Sequence, residues 1–179
     1  MVNFLLKIKA ELENLTNLQP QDGCDDPNFT YLFKVKCGRC GEVSQKETCV
    51  TLSETIPLQA GKGTTNLVQK CKFCGREGTI TMIPGRGKPL TQEISESGDF
   101  SPLMLFDCRG YEPIGFVFGP GWKVESVSPP INLPSDQCNE HEVFNTAYLF
   151  LNSTIMYNFI FLKSNIYNLL IMQIHNVLA

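Results

Sequence analysis

Two C-x-x-C-G motifs constrain this chain more than any other feature of its sequence. The first is Cys37-Gly38-Arg39-Cys40-Gly41 and the second is Cys71-Lys72-Phe73-Cys74-Gly75, with 30 residues between Cys40 and Cys71. The glycine after each second cysteine can adopt the positive φ angle that such a tight turn requires. Four thiolates in this arrangement suit one tetrahedral Zn²⁺, and closed four-cysteine sites are structural. The predicted zinc ligands are Cys37, Cys40, Cys71 and Cys74.

Other uses of paired cysteines remain open at this point. A thioredoxin-like redox motif has one C-x-x-C pair between a strand and a helix. Here Gly41 and Gly75 stand where that helix begins, and no amphipathic helix follows either motif. Two disulfides are a further alternative, provided that the chain is secreted.

The beginning of the sequence bears on the cellular compartment. Residues 1–10 alternate polar and apolar side chains and lack the continuous apolar run of a signal peptide. The eight cysteines are therefore expected in a reducing compartment, where paired thiols are more often metal ligands than disulfides. We expect the protein in the cytoplasm or the nucleus.

Charge is distributed unevenly along the chain. Residues 34–88 carry a net charge of +6 and residues 89–142 one of −7. A basic segment around a zinc site can indicate nucleic-acid binding. A simpler interpretation is that cations near the motifs stabilise the thiolates, and that the acidic segment pairs with the remaining excess. Few aromatic residues other than Phe73 accompany the basic ones, so nucleic acid is not expected as a partner.

Alternating patterns predict strands along most of the chain. Apolar side chains occupy every second position from Val2 to Leu12, and the pattern recurs from Tyr31 to Val35. We predict further strands over 42–58, 67–70 and 79–83, with Cys49 as a small buried residue. The segment 103–112 has the plan of 31–41, a strand followed by a cysteine and a glycine turn, but Tyr111 stands where the first unit has Cys40. Cys108 therefore has no partner nearby, and this unit is interpreted as a repeat without metal.

Several segments together resemble a known family. They are the strand ending in Leu12-Glu13-Asn14-Leu15-Thr16-Asn17-Leu18, the Lys36–Glu42 knuckle, the Val68–Cys74 segment and Cys108-Arg109-Gly110-Tyr111-Glu112-Pro113. In this order they are similar to the eukaryotic CXXC-motif-containing zinc-binding proteins, over about residues 2–128. The resemblance implies an all-β fold with two related antiparallel halves and one zinc per chain in the first half, held by the four cysteines that the spacing had selected. We assign 1–99 to the zinc-binding half, 100–128 to the start of the metal-free half and 129–179 to a divergent tail.

The tail departs from the family pattern. Residues 143–179 contain Lys163 as their one charged residue and are rich in Asn, Ile, Leu and Phe, residues that A/T-rich codons encode. We interpret 129–179 as a translated intron or frame-shifted end without the closing strands of the family. A membrane span over 147–174 is the structural alternative, but asparagines and Lys163 interrupt its apolar run. The tail is accordingly expected to be helical or disordered, and no membrane association is expected.

The predicted site favours a binding protein over an enzyme. A closed four-cysteine zinc has no open position for water. Both histidines, His141 and His175, lie in the tail, so the family-like region has no histidine to act as a general base. We expect a monomeric, non-enzymatic protein-interaction module with a structural zinc and a protein partner that the sequence does not identify. The alternative is a metal-handling or thiol-redox protein with a labile site, and a nucleic-acid-binding zinc protein is a third hypothesis.

Overall fold

The computed structural model describes residues 2–58, 63–127, 146–149, 159–162 and 166–177. These residues form antiparallel strands and one short helix. In chain order the elements are β1 (Val2–Ala10), β2 (Leu15–Pro20), β3 (Tyr31–Cys37), β4 (Thr48–Val50), β5 (Ile56–Pro57), β6 (Thr64–Thr65), β7 (Leu67–Lys70), β8 (Glu77–Ile83), α1 (Gln92–Glu96), β9 (Ser101–Arg109), β10 (Tyr111–Val117), β11 (Trp122–Ser126), β12 (Thr146–Leu149), β13 (Phe159–Leu162) and β14 (Ile166–Val177). The all-β expectation is confirmed.

The largest sheet has six strands in the order β13-β14-β1-β9-β8-β7. Alternation in β1 places Phe4, Leu6, Ile8 and Ala10 on the buried face, because successive side chains of a strand point to opposite faces. The predicted strand over 67–70 is confirmed as β7, at one edge of this sheet.

A three-stranded sheet, β10-β3-β4, packs against the six-stranded sheet. Phe106 of β9 is fully buried and meets Tyr31 and Phe33 of β3, with ring centroids 5.8 and 5.7 Å apart. Burying a side chain of this size contributes about 1.5–3 kcal/mol. Phe106 and β3 thus hold the two sheets together and fix the direction in which β3 delivers Cys37.

The third sheet has the order β12-β11-β2, and β5 pairs with β6 in a separate hairpin. Trp122 begins β11 and is 1% exposed. Its ring contacts Phe29 and Phe118, with centroids 5.1 and 5.5 Å away. Trp122 therefore belongs to the core.

Strands on both sides of residue 100 share sheets. β9 lies between β1 and β8, and β10 pairs with β3. The proposed division into 1–99 and 100–128 stays an interpretation of the repeat, and it does not separate two independently packed units.

The described part of the tail corrects two expectations. Its residues 146–149, 159–162 and 166–177 form strands, with no helix among them. β14 pairs with β1 over eight positions, from Asn3 opposite Val177 to Ala10 opposite Leu170. The segment that was expected to be helical or disordered, and to lack the closing strands of the family, therefore supplies a strand that pairs with β1. The rest of 129–179 lies outside the described residues.

The long strand predicted over 42–58 is wrong in extent. Only Thr48–Val50 and Ile56–Pro57 are strands there. Val50 is buried, but Cys49 is exposed, so the prediction of Cys49 as a buried residue is wrong. In the parts of the chain that the structure describes, no helix has the length and apolar character needed to cross a membrane.

Candidate metal centre

The two C-x-x-C-G motifs, Cys37–Gly41 and Cys71–Gly75, are called the first and second knuckle below. Both fold into the same hydrogen-bonded turn. In each, the amide of the glycine donates to the carbonyl of the first cysteine at 2.9 Å. The amide of that cysteine donates to the carbonyl five residues further on, at 2.8 Å in both knuckles. Gly41 and Gly75 have φ angles of +77° and +71°. The glycine requirement inferred from the sequence is thereby confirmed.

The fold brings the four predicted ligands together. The Sγ atoms of Cys37 and Cys74 are 3.7 Å apart, those of Cys40 and Cys71 are 3.6 Å apart, and all four lie within 4.8 Å of one another. A tetrahedron with Zn–S bonds of about 2.3 Å has S···S edges of about 3.8 Å. A disulfide needs about 2.05 Å, and the four cysteines are free thiols. The donor set and its spacing fit one tetrahedral ion.

The two pairs of sulfurs come from different sheets. Cys37 ends β3 in the three-stranded sheet, and Cys71 follows β7 at the edge of the six-stranded sheet. An ion held by all four sulfurs therefore links the two sheets at one end of the core.

Backbone amides lower the pKa of the first cysteine of each knuckle. The N–H groups of Cys40 and Arg39 hydrogen-bond to the Cys37 sulfur and lower its pKa to about 6. The amide of Cys74, and to a smaller extent that of Phe73, lowers the pKa of Cys71 in the same way. Burial opposes both shifts because it disfavours the charged form. The turn geometry thus favours the thiolate that metal binding needs.

The second cysteine of the first knuckle behaves differently. The amide of Glu42 lowers the pKa of Cys40. Burial and the hydrogen bonds shared with the other three sulfurs together raise this pKa by more, so the net result is a pKa of about 12. Sulfurs that have already ionised disfavour the ionisation of a close neighbour. A divalent cation would supply the charge that allows all four to ionise, which is why the chemistry of the cluster suits a metal.

Tyr111 packs beside the cluster, and sequence reasoning missed this role. It lies opposite Cys37 in the pairing of β10 with β3, and it is 6% exposed. Burial, followed by the charges of the four cysteines, raises the pKa of Tyr111 to about 12. Its ring covers Gly78, where a side chain would collide with it. The sequence noted Tyr111 only as the residue in place of a second cysteine, and the partner strands that place it here are distant in sequence.

The other cysteines that the structure describes lie outside the cluster. Cys108 is buried and Cys24 is half-buried, while Cys138 and His141 fall outside the described residues. Two ion pairs flank the site, Lys36 with Glu112 at 3.3 Å and Lys70 with Glu77 at 3.8 Å. Both are largely exposed, so each contributes little to stability.

Comparison with known proteins places the chain in a family. The sequence model for "CXXC motif containing zinc binding protein, eukaryotic" matches residues 5–133. This chain belongs to that family. The protein named "CXXC motif containing zinc binding protein" is 42% identical in Xenopus laevis and 39% identical in Homo sapiens, over 127 residues that make up 71% of this chain and 76% of each relative.

Other relatives extend the similarity into the tail. The Drosophila melanogaster protein named "UPF0587 protein CG4646" is 32% identical over 165 residues, 89% of this chain and 94% of its own length. That coverage continues beyond residue 128 and weighs against the interpretation of the whole tail as a translated intron. The solved structure described as "Crystal Structure of C1orf123" has a TM-score of 0.69 at 26% identity and covers 98% of this chain and 99% of its own. The described part of the chain therefore has the fold of that solved structure.

Proposed function

We propose that this protein binds one Zn²⁺ through Cys37, Cys40, Cys71 and Cys74 as a structural clamp, and that it serves as a non-enzymatic module for binding another protein. The observation that supports this most is the convergence of four sulfurs from two sheets at separations of 3.6 to 4.8 Å. Zinc binding stabilises only the folded arrangement, so its free energy becomes folding free energy.

The donor set argues against catalysis at this site. Four sulfurs complete a tetrahedral coordination shell and leave no position for a water or a substrate. A metal with a complete coordination shell can stabilise the fold, and the protein then offers a rigid surface to a binding partner. Thiolate ligands also favour a reducing compartment, so the cytoplasm or the nucleus is part of the proposal.

Metal content and folding test the clamp together. We expect one zinc per purified chain by elemental analysis, and loss of both zinc and the far-ultraviolet circular dichroism of the folded chain in Cys71→Ser. Cys49→Ser is the matched control, because Cys49 is exposed and outside the cluster. Zinc retained in Cys71→Ser, or a Cys71→Ser protein that lacks zinc and is still fully folded, contradicts the structural role.

A second candidate function follows from the exposure of one ligand. Cys37 and Cys71 are buried, but Cys40 is exposed. A competing thiol or chelator can therefore approach the ion from the Cys40 side, as a metal-handling protein requires. If a moderate chelator removes zinc reversibly while the circular dichroism spectrum stays unchanged, the labile function replaces the structural one.

A further inference from the structure

The strand that leads to Cys71 has an unpaired edge. β7 is the last strand of the six-stranded sheet, and no further strand lies beyond it among the described residues. Just past its end, the Cys71 amide donates to the Arg76 carbonyl at 2.8 Å. Hydrogen-bonded positions alternate along an antiparallel pair, so the next residue that bonds to β8 is Gln69. The backbone N–H and C=O groups of Val68 and Lys70 therefore point away from β8.

The β7 edge lacks features that protect another edge of the same core. β10 is an edge of the three-stranded sheet, and it contains Pro113 and a register shift between Ile114 and Val117. Proline and bulges are means by which edge strands avoid pairing with other chains. β7 has no proline, and its pairing with β8 has no register shift. Its one charged residue, Lys70, pairs with Glu77 of β8 at 3.8 Å. The backbone of β7 can thus accept a further strand.

A cavity lies beside this edge, between β7 and the 42–48 loop. Its volume is about 310 Å³, and the buried residues Val35 and Tyr111 form part of its lining. Thr48 and Gln69 line it as well, and the Thr48 hydroxyl donates to Gln69 Oε1 at 3.2 Å. Ligand pockets have volumes of about 300–1,000 Å³. This cavity is at the lower end of that range, so it suits one side chain of a larger partner.

The cavity lies on the face to which an added strand would direct a side chain. Gln69 stands opposite Gly78, which is buried, and the Gln69 side chain lines the cavity. Residues directly opposite each other in neighbouring strands place their side chains on the same face. A residue opposite Gln69 in an added strand would therefore point towards the cavity. In strand addition, the edge supplies hydrogen bonds and such pockets supply selectivity.

The charges around the cavity favour an uncharged partner segment. Glu42, Glu47, Lys46 and Lys72 line the cavity, and their charges sum to zero. All four are exposed, and none forms an ion pair within the part of the chain that the structure describes. In the zinc-loaded protein, four thiolates around one Zn²⁺ would add negative charge nearby. An acidic segment or a nucleic acid would therefore gain no electrostatic attraction here.

We propose that the β7 edge, defined as Leu67–Lys70, binds an extended, uncharged segment of another protein as an additional strand. The backbones of Val68 and Lys70 exchange hydrogen bonds with this segment. One apolar side chain of the segment, opposite Gln69, enters the cavity. This proposal rests on the proposed function, because the zinc clamp would hold Cys71 at the end of β7 and so fix the edge against the 42–48 loop.

Titration of the full-length, zinc-loaded, ¹⁵N-labelled chain tests the proposal. The probe is the capped peptide Thr-Val-Leu-Val-Thr, which is uncharged and favours an extended backbone. We expect amide shifts within 42–48 and 67–70, and protection of the Val68 and Lys70 amides from hydrogen exchange. The same peptide with N-methyl groups on both valines keeps its side chains but loses two N–H donors. It should bind about tenfold more weakly or worse, because it leaves carbonyl groups of the edge unpaired.

A pair of variants at one position tests the edge from the side of the protein. Val68→Pro removes an outward N–H group, and proline is tolerated on edge strands where that group faces solvent. It should weaken binding of the unmodified peptide about tenfold, with one zinc per chain retained. Val68→Thr is the matched control, because it changes the side chain and keeps the N–H group, and it should bind the peptide as the unmodified chain does.

Several outcomes overturn the proposal. Equal binding of the N-methylated peptide excludes strand addition, and this test does not depend on whether Val68→Pro folds. Shifts confined to other parts of the molecule, or equal binding by Val68→Pro, remove β7 as the site. A dimer in sedimentation, with Val68 and Lys70 protected before peptide is added, assigns the edge to a second copy of the chain. Zinc content separates this proposal from the clamp: a chain that holds one zinc and ignores the peptide leaves the clamp in place, whereas Cys71→Ser tests the clamp itself.

Discussion

Cys108 and Cys49 both lie outside the four-cysteine cluster, but the fold gives their thiols opposite properties. Cys108 is 2% exposed on β9, and burial, with a smaller contribution from the Asp107 carboxylate, raises its pKa to about 12. Cys49 is exposed on β4. The thiolate is the reactive form of cysteine. Low accessibility and a raised pKa therefore both make the Cys108 thiol unreactive.

We therefore expect iodoacetamide at pH 8 to modify Cys49 and to leave Cys108 unmodified in the zinc-loaded protein, as measured by peptide mass spectrometry. The folded pKa of Cys108 lies above its ordinary value of 9.0, so its contribution to stability is present below about pH 9 and is lost as the pH rises towards 12. Urea-unfolded protein provides the positive control, in which both residues react. Equal modification of the two thiols in the folded protein would show that β9 is not packed as described.

Single residues also show where sequence reasoning reached its limit. The four cysteines were predicted correctly as a cluster because the spacing within each knuckle is local and the motif occurs twice. Tyr111 was not predicted as their neighbour, because its position depends on the pairing of β10 with β3, and these strands are far apart in sequence. Cys49 was misassigned because a short strand has an exposed face that composition does not reveal.

At the level of elements, β8 needs a glycine at position 78, because the neighbouring residues leave no space for a side chain there. A Cβ atom at Gly78 would collide with the ring of Tyr111 and would lie 2.7 Å from the Arg109 carbonyl oxygen. The backbone of β9 cannot move away cheaply, because it is hydrogen-bonded within the six-stranded sheet.

We expect Gly78→Ala to destabilise the protein by about 1–3 kcal/mol, because overpacking forces the backbone and Tyr111 to shift. Urea unfolding followed by circular dichroism measures this change. Gly119→Ala is the control, since the nearest atom to its Cβ is Leu32 Cδ1 at 3.7 Å, and its change should stay within about 0.5 kcal/mol. Similar stabilities for the two variants would place Tyr111 elsewhere.

The elements were predictable to the extent that their pattern is local. The alternation from Val2 to Ala10 gave β1 and its buried face, and β7 was predicted with its observed bounds. α1 has five residues, too few to show a helical period, and was not predicted. β14 was missed because its residues were interpreted by composition, whereas its strand structure comes from pairing with β1 at the other end of the chain.

On the scale of the whole molecule, the cysteine cluster and Trp122 mark two ends of one packed core. β3 runs from Tyr31, next to Phe29 in the core, to Cys37 in the cluster, a length of about 20 Å. Phe29 and Trp122 have ring centroids 5.1 Å apart, so Trp122 lies near the end of β3 that is remote from the cysteines. The chain has one tryptophan, and its fluorescence therefore reports on that remote end alone.

This arrangement predicts how much of the molecule unfolds when zinc is lost. The proposed clamp would join two sheets that share a continuous hydrophobic core from Cys37 to Trp122. Removing the zinc should then unfold the core cooperatively rather than fray the knuckles alone. We expect a strong chelator to shift the Trp122 emission to longer wavelength at the same chelator concentration at which circular dichroism is lost. Cys49→Ser should behave like the unmodified chain, because that thiol binds no part of the cluster. If the emission stays that of a buried indole while zinc is released, the two ends of the core are stable independently, and the clamp stabilises only the knuckle end.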